Sequence, residues 1–220
     1  SGAIDLFLQK KDAFYQNQSH WIEDRPIVHL LPHWNFRGRE GEKIRVVAYT
    51  NCKELELYLN GKSLGKQQIE KYGHGEWQVE YEPGTIAVEA RSGGKTLCRD
   101  EQTTTGRAEK LNLRLDNRVS GANGRDTAVI TCYCTDSDGR FVPDAVPFVN
   151  FSTNGLGTIA GTGSDISDTT AVSLPSRRMR MGTITVAVIV GKTAGDLKVY
   201  ASSENQEGTV LTIPLNEVKG

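Results

Sequence analysis

The side chains able to do chemistry are few and scattered. Four cysteines (Cys52, Cys98, Cys132, Cys134) and four histidines (His20, His29, His33, His74) are the candidate nucleophiles and metal ligands. Cys132 and Cys134 stand two apart in an alternating stretch. That spacing puts them on one face of one strand, not at the turn of a C-x-x-C metal or redox site. They read as buried thiols acting as small hydrophobes. Cys52 and Cys98 fall in the same half of the chain, and a bridge between them stays open at this point. His29 and His33 have helical spacing, but Pro32 between them argues against a helix. No H-E-x-x-H or H-x-H pattern exists. Neither a metal centre nor a cofactor is expected.

Other constellations are equally incomplete. The carboxylates are spread over outward-facing strand positions and do not pair as two acids across a cleft would. Asn216-Glu217 is the only Asn-Glu step, and it lies among the last residues of the sequence, where fixing an acid is difficult. Ser63 and Ser120 lack the G-x-S-x-G setting of a nucleophile elbow. Gly155, Gly157, Gly161 and Gly163 have the wrong spacing for a dinucleotide fingerprint, and no helix follows. They read as strand ends, bulges and tight loops. Asp136-Ser137-Asp138-Gly139 hints at a calcium loop, but Arg140 and Pro147 stand where oxygen ligands belong. A different cation site, drawing on Asp136, Asp138, Asp165 or Asp168, remains an alternative. Arg177, Arg178 and Arg180 form a short basic cluster, read as a solvated or salt-bridged loop with an anion site as the alternative. Trp77 alternates with Val79 and is expected in a core. Trp34, in Pro32-His33-Trp34-Asn35-Phe36, is open between packing and contact with another domain or a sugar. No catalytic residue is assigned.

The whole-chain balance narrows the function classes. The 220 residues carry Lys+Arg 26 against Asp+Glu 27, for a net charge of -1. No global basic field is available to hold nucleic acid. The longest purely apolar run, Val186 to Val190, is far short of the roughly 18 residues of a membrane helix, so no membrane insertion is expected. The start, Ser1-Gly2-Ala3-Ile4-Asp5, shows no basic stretch followed by an apolar core, so no signal peptide is expected here. A processed chain would look the same, and the location stays open between bacterial cytoplasm and periplasm or exterior.

The elements that must position these residues are almost all strands. Asp5 to Trp21 is the one helix candidate; Phe14 and Trp21 are seven apart and share a face with an aromatic character. From Ile27 the period changes to two. Ile44, Val46 and Ala48 alternate with polar or exposed partners, and so do Leu55, Leu57 and Leu59. Asn60-Gly61 then marks a hairpin, because both residues accept positive φ. Trp77, Val79 and Tyr81, followed by Ile86, Val88 and Ala90, continue the pattern. The polar run Glu101 to Glu109 is expected as the boundary. Beyond it Ala128, Ile130, Cys132 and Cys134 lead a second set of about seven short strands, ending with Val210 to Ile213. The prediction is an all-β chain of two consecutive immunoglobulin-like antiparallel sandwiches, residues 23–104 and 105–220, after a helical or linker segment at 1–22.

Several linear motifs carry a resemblance. They are Lys11-Asp12-Ala13-Phe14-Tyr15 with Gln18-Ser19-His20-Trp21, then His29-Leu30-Leu31-Pro32-His33-Trp34-Asn35-Phe36 with Gly38-Arg39-Glu40-Gly41. Thr50-Asn51-Cys52 and the run from Glu54 to Gly65 follow. In the second half they are Thr135 to Gly139, Val142-Pro143-Asp144-Ala145 and Gly155 to Gly163. Together these resemble bacterial β-galactosidases of glycoside hydrolase family 2, in the region after the catalytic barrel. The resemblance implies that residues 1–22 close the barrel and that two accessory domains follow. It implies catalytic glutamates upstream of Ser1, so the missing N-terminal domains of the same chain are the expected partner. Phe14, Tyr15, Trp21, His33, Trp34 and Phe36 are then candidates for the interdomain surface. The alternatives are a carbohydrate-binding module with Trp34 as the contact, an immunoglobulin-type adhesion repeat, and a homo-oligomer formed through exposed apolar surface. Ser164-Asp165 and Ser203-Glu204-Asn205 depart from the family's usual loops.

Overall fold

The computed structural model describes residues 25–71, 73–163 and 175–219. The expected helix, with Phe14, Tyr15 and Trp21, and the cation candidates Asp165 and Asp168 lie outside them. The described residues form two compact all-β units, 25–104 and 105–219.

The first unit has seven strands: β1 Val28–Leu31, β2 Lys43–Thr50, β3 Glu54–Leu59, β4 Lys62–Gln68, β5 His74–Glu80, β6 Thr85–Ser92 and β7 Lys95–Thr103. Sheet β1-β2-β5 faces sheet β4-β3-β6-β7, and every pairing is antiparallel. Numbered as in immunoglobulin domains, this is A-B-E against a C-F-G sheet. The fourth strand joins the third rather than the fifth. One-sided alternation places the core: Leu55 and Leu57 of β3 and Ile86, Val88 and Ala90 of β6 are sealed against Val46, Ala48, Trp77 and Val79. Trp77 is therefore a core residue, as its alternation indicates. The turn at Asn60-Gly61 has φ of 49° and 82°, the left-handed pair that a two-residue hairpin requires.

The second unit has eight strands: β8 Lys110–Leu115, β9 Thr127–Thr135, β10 Phe148–Thr153, β11 Gly157–Gly163, β12 Ser176–Arg178, β13 Thr183–Val190, β14 Gly195–Ser202 and β15 Thr209–Leu215. Sheet β11-β13-β9-β8 packs on sheet β12-β10-β14-β15. Here a fourth strand, β11, does pair beside the fifth-position strand β13, giving the fuller A-B-E-D arrangement. Its core is aliphatic and sulfur-rich: Ile130, Cys132, Cys134, Met179, Ile184, Val186, Val188, Leu197 and Val199 are buried. Cys132 and Cys134 sit there as free thiols. Burial pushes Cys132 up to about 12 and Cys134 up to about 11, so both stay protonated near neutrality.

One local reading needs correction, and two others gain detail. Glu101 to Thr103 is not boundary loop but the end of β7, paired with Thr85 to Ala87 of β6. The glycines mark strand ends, a bulge and a tight turn, as their spacing suggests: Gly157 and Gly163 bound strand β11, a bulge lies between Ile159 and Gly161, and Gly155 takes φ of 92° in the turn before it. Asp136 turns both its carboxylate oxygens to backbone amides. Its Oδ1 accepts the amides of Asp138 and Arg140, each at 2.9 Å, and its Oδ2 accepts that of Gly106 at 2.9 Å. Burial works to raise the Asp136 carboxyl, but these amides outweigh it and hold the group below its ordinary value.

Candidate functional site

The six sequence-selected surface residues divide. Phe14, Tyr15 and Trp21 lie outside the described residues. His33, Trp34 and Phe36 come together in the loop between β1 and β2. The Trp34 ring meets Tyr81 at 5.0 Å and Phe36 at 5.9 Å between centroids, both edge-on, and His33 stacks on Phe36 at 4.9 Å. Arg39 lies over the Phe36 ring at 5.3 Å. Trp34 itself is 1% exposed. Its indole N–H donates to the Glu82 carbonyl at 2.8 Å, and its own carbonyl accepts the Thr104 hydroxyl at 2.5 Å. The Trp34 carbohydrate contact is thereby corrected. A ring that stacks on sugar needs an open face, and both faces and the polar edge of this indole are committed to its own sandwich. Half-buried His33 and Phe36 form the outer rim of that cluster.

A second group lies on the outer face of sheet β4-β3-β6-β7. Glu56 accepts the Tyr58 hydroxyl at 2.5 Å, the Ser63 hydroxyl at 2.7 Å and Arg91 Nη1 at 2.7 Å. Arg91 also pairs with Glu89 and reaches Tyr58 at 3.0 Å. The Tyr58 hydroxyl first, then Ser63 and Arg91, hold the Glu56 carboxyl down at about 2. The same bond to Glu56 pushes the Tyr58 hydroxyl above its ordinary value. One group is locked ionised and the other locked neutral, so neither can exchange a proton near neutral pH as a general acid or base must. The cluster cross-braces the sheet.

Between the edge strands β4 and β5 runs a groove of about 460 Å³ lined by Leu59, Leu64, Trp77, Gln78 and Val79. The Gln67 side chain bridges it at one end. Its amide nitrogen donates to the Glu76 carbonyl at 2.7 Å, and its amide oxygen accepts the Glu76 N–H at 3.0 Å. One side chain thus replaces the missing neighbour strand for one residue of β5.

The second unit presents what sequence reasoning missed. Phe141, Val146 and Phe148 are 44%, 58% and 48% exposed within the β9–β10 connection and the start of β10. Arg178 lies over the Phe148 ring at 5.8 Å and donates to the Val146 carbonyl at 2.8 Å. The signal was the run from Phe141 to Phe148. It is rich in apolar residues, but Pro143 and Pro147 break the alternation that would bury them. Among the described residues no group of three or more His, Cys, Asp or Glu could hold a metal ion, and no helix is long and apolar enough to cross a membrane.

Comparison with known proteins bears on this arrangement. Residues 41–98 match a family described only as a domain of unknown function, and residues 111–212 match glycoside hydrolase family 2 C-terminal domain 5. The chain is 34% identical to β-galactosidase BoGH2A of Bacteroides ovatus over 99% of its own length and 26% of that protein's. It is 35% identical to a putative β-glucuronidase of Formosa agariphila over 64% of its own length and 14% of that one's. The structure is similar to a glycosyl hydrolase family 2 member from Bacteroides cellulosilyticus, with TM-score 0.83, 31% identity, and coverage of 90% of this chain and 30% of that one. A β-glycosidase from Bacteroides vulgatus matches with TM-score 0.81, 28% identity, and coverage of 93% and 26%. The chain spans about a quarter of the length of the β-galactosidase it matches almost end to end.

Proposed function

Since the chain belongs to glycoside hydrolase family 2 through its C-terminal domains, we propose that it is the non-catalytic C-terminal part of a β-galactosidase-like enzyme. Its two sandwiches buttress the catalytic barrel and shape the entrance to its cleft. In this reading residues 1–22 belong to the end of the barrel, 23–104 to the first accessory domain and 105–220 to the second. The carboxylates that break the glycosidic bond lie in the part of the polypeptide outside this chain. Relatives of both β-galactosidase and β-glucuronidase name align with the chain, so the sugar is chosen in that outside part as well.

The observation that carries the reading is the exposed set Phe141, Val146 and Phe148 in a chain that aligns with only 26% of its relative. Covering one Phe-size side chain is worth about 1.5–3 kcal/mol, enough to favour a neighbouring surface there. The triple substitution Phe141→Ser, Val146→Ser, Phe148→Ser tests it in the whole parent enzyme and in the 1–220 chain. The parent should lose several degrees of melting temperature while the isolated chain changes by about a degree or less. Equal shifts in the two proteins would sink the docking role. The isolated chain should leave nitrophenyl β-galactoside and β-glucuronide intact, and turnover by it would overturn the non-catalytic assignment.

A further inference from the structure

Two thiols of the first unit are brought together by elements far apart in sequence. The Leu30 N–H donates to Asp100 Oδ2 at 2.8 Å, and Gln102 Nε2 donates to the Leu30 carbonyl at 3.3 Å, so β7 runs beside β1. Two residues before Leu30, Val28 pairs with Thr50 at the end of β2. Two residues before Asp100 stands Cys98, and two residues after Thr50 stands Cys52. The Cys52 N–H donates to Thr50 Oγ1 at 3.0 Å, which folds the β2–β3 turn back over the strand end. Cys52 is buried in the core of the unit, and Cys98 packs against that same core from the half-exposed side. Both are free in this structure.

We propose that Cys52 and Cys98 are a disulfide-forming pair, closed by thiol–disulfide exchange with a small-molecule disulfide such as oxidised glutathione. Cys98 is the accessible partner and reacts first. Its thiol gives a proton to solvent, its sulfur attacks one sulfur of the small disulfide, and one thiolate leaves. The mixed disulfide on Cys98 is then attacked by Cys52, which also gives up its proton, and the second small thiolate leaves. The protein loses two hydrogens, and one disulfide molecule becomes two thiols. The bridge ties the β2–β3 turn to β7, across the open side of the sandwich where no strand ladder joins them. Burial, with Cys52 and Asp100 nearby, pushes the Cys98 thiol up to about 12, so little thiolate is present near neutrality and the exchange is slow. Cys132 and Cys134 are the internal control. They face one side of one strand, and two residues in that relation cannot reach disulfide geometry without breaking the strand.

The test equilibrates the 1–220 chain in glutathione buffers of increasing oxidised fraction, quenches with an alkylating agent, and reads intact mass, alkylation count and linked peptides. The expected result is a loss of about 2 Da and of two alkylatable thiols, a single Cys52–Cys98 peptide, and a melting temperature several degrees higher. Cys98→Ser should abolish the mass loss and the melting shift together. Four alkylatable thiols at the most oxidising ratio, or a linkage through Cys132 or Cys134, would overturn the assignment. Peptide mapping of the unsubstituted chain keeps the answer independent of how the variant folds.

Discussion

The two sandwiches reach similar architectures by different means. The first closes its core around Trp34, Trp77 and Tyr81 and leaves the outer edge of β5 without a strand. The second has no tryptophan, fills its centre with aliphatic side chains, two thiols and Met179, and covers the corresponding edge with β11. The difference shows two ways to complete a sheet. The second unit does it with a strand. The first does it with single side chains: an indole plugging the end, an amide facing the bare edge, and an arginine tying three carboxylates across the outer face.

The sharpest way to break this comparison is to empty each core separately. Trp34→Ala should cost about 3–5 kcal/mol and Met179→Ala roughly 2–5 kcal/mol. Every tryptophan precedes residue 105, so fluorescence-detected denaturation reports the first half alone. Trp34→Ala should move that transition strongly, whereas Met179→Ala should move only the transition seen by circular dichroism. Coincident movement of both signals in both variants would show that the two units do not melt separately. A smaller effect is expected at the bare edge. Gln67→Ala removes two hydrogen bonds for about 1–3 kcal/mol. It should also make light scattering rise with protein concentration, which the same change on a covered strand would not do.

The smallest effect is electrostatic. The Glu56 carboxyl is held at about 2 in the folded chain, well below its ordinary value of 4.5. A depressed carboxylate stabilises the fold above its unfolded value, and that contribution is lost as pH falls through the folded one. The first unit should therefore weaken between about pH 4.5 and 2. Tyr58→Phe, which removes the largest contributor, should raise the Glu56 titration midpoint read by carboxyl NMR. An unchanged midpoint would remove the hydroxyl from the account.

Strands that bury one face in strict alternation were legible in the sequence, and strands without that alternation were not. β3, β5, β9 and β13 bury one face, so their side chains alternate and declare the period. β4 is held mainly by backbone pairing, and almost all its side chains face solvent, so nothing in Lys62–Gln68 imposes a pattern. The outer end of β7 hid in a polar run for the same reason. β11 hid among glycines: at Gly157 a Cβ would lie 3.0 Å from both Leu197 and Val188, so close packing, not a turn, demands the small residue there. Trp34 escaped because a residue between strands has no period to betray its burial. Its partners Tyr81, Glu82 and Thr104 are far along the chain. The aromatic linear motifs marked this neighbourhood, but they did not say which way the rings turned.

The Asp136 carboxylate does more than close its own turn. By catching the Gly106 amide, it fastens the lead-in to the second unit a few residues before Lys110 meets Glu207 in a parallel bridge. A pull on the polypeptide ahead of Gly106 would reach the Asp136 fastening before the β8 ladder felt it. Such a seam behaves as a strain relief, like the clamp where a cable enters its housing.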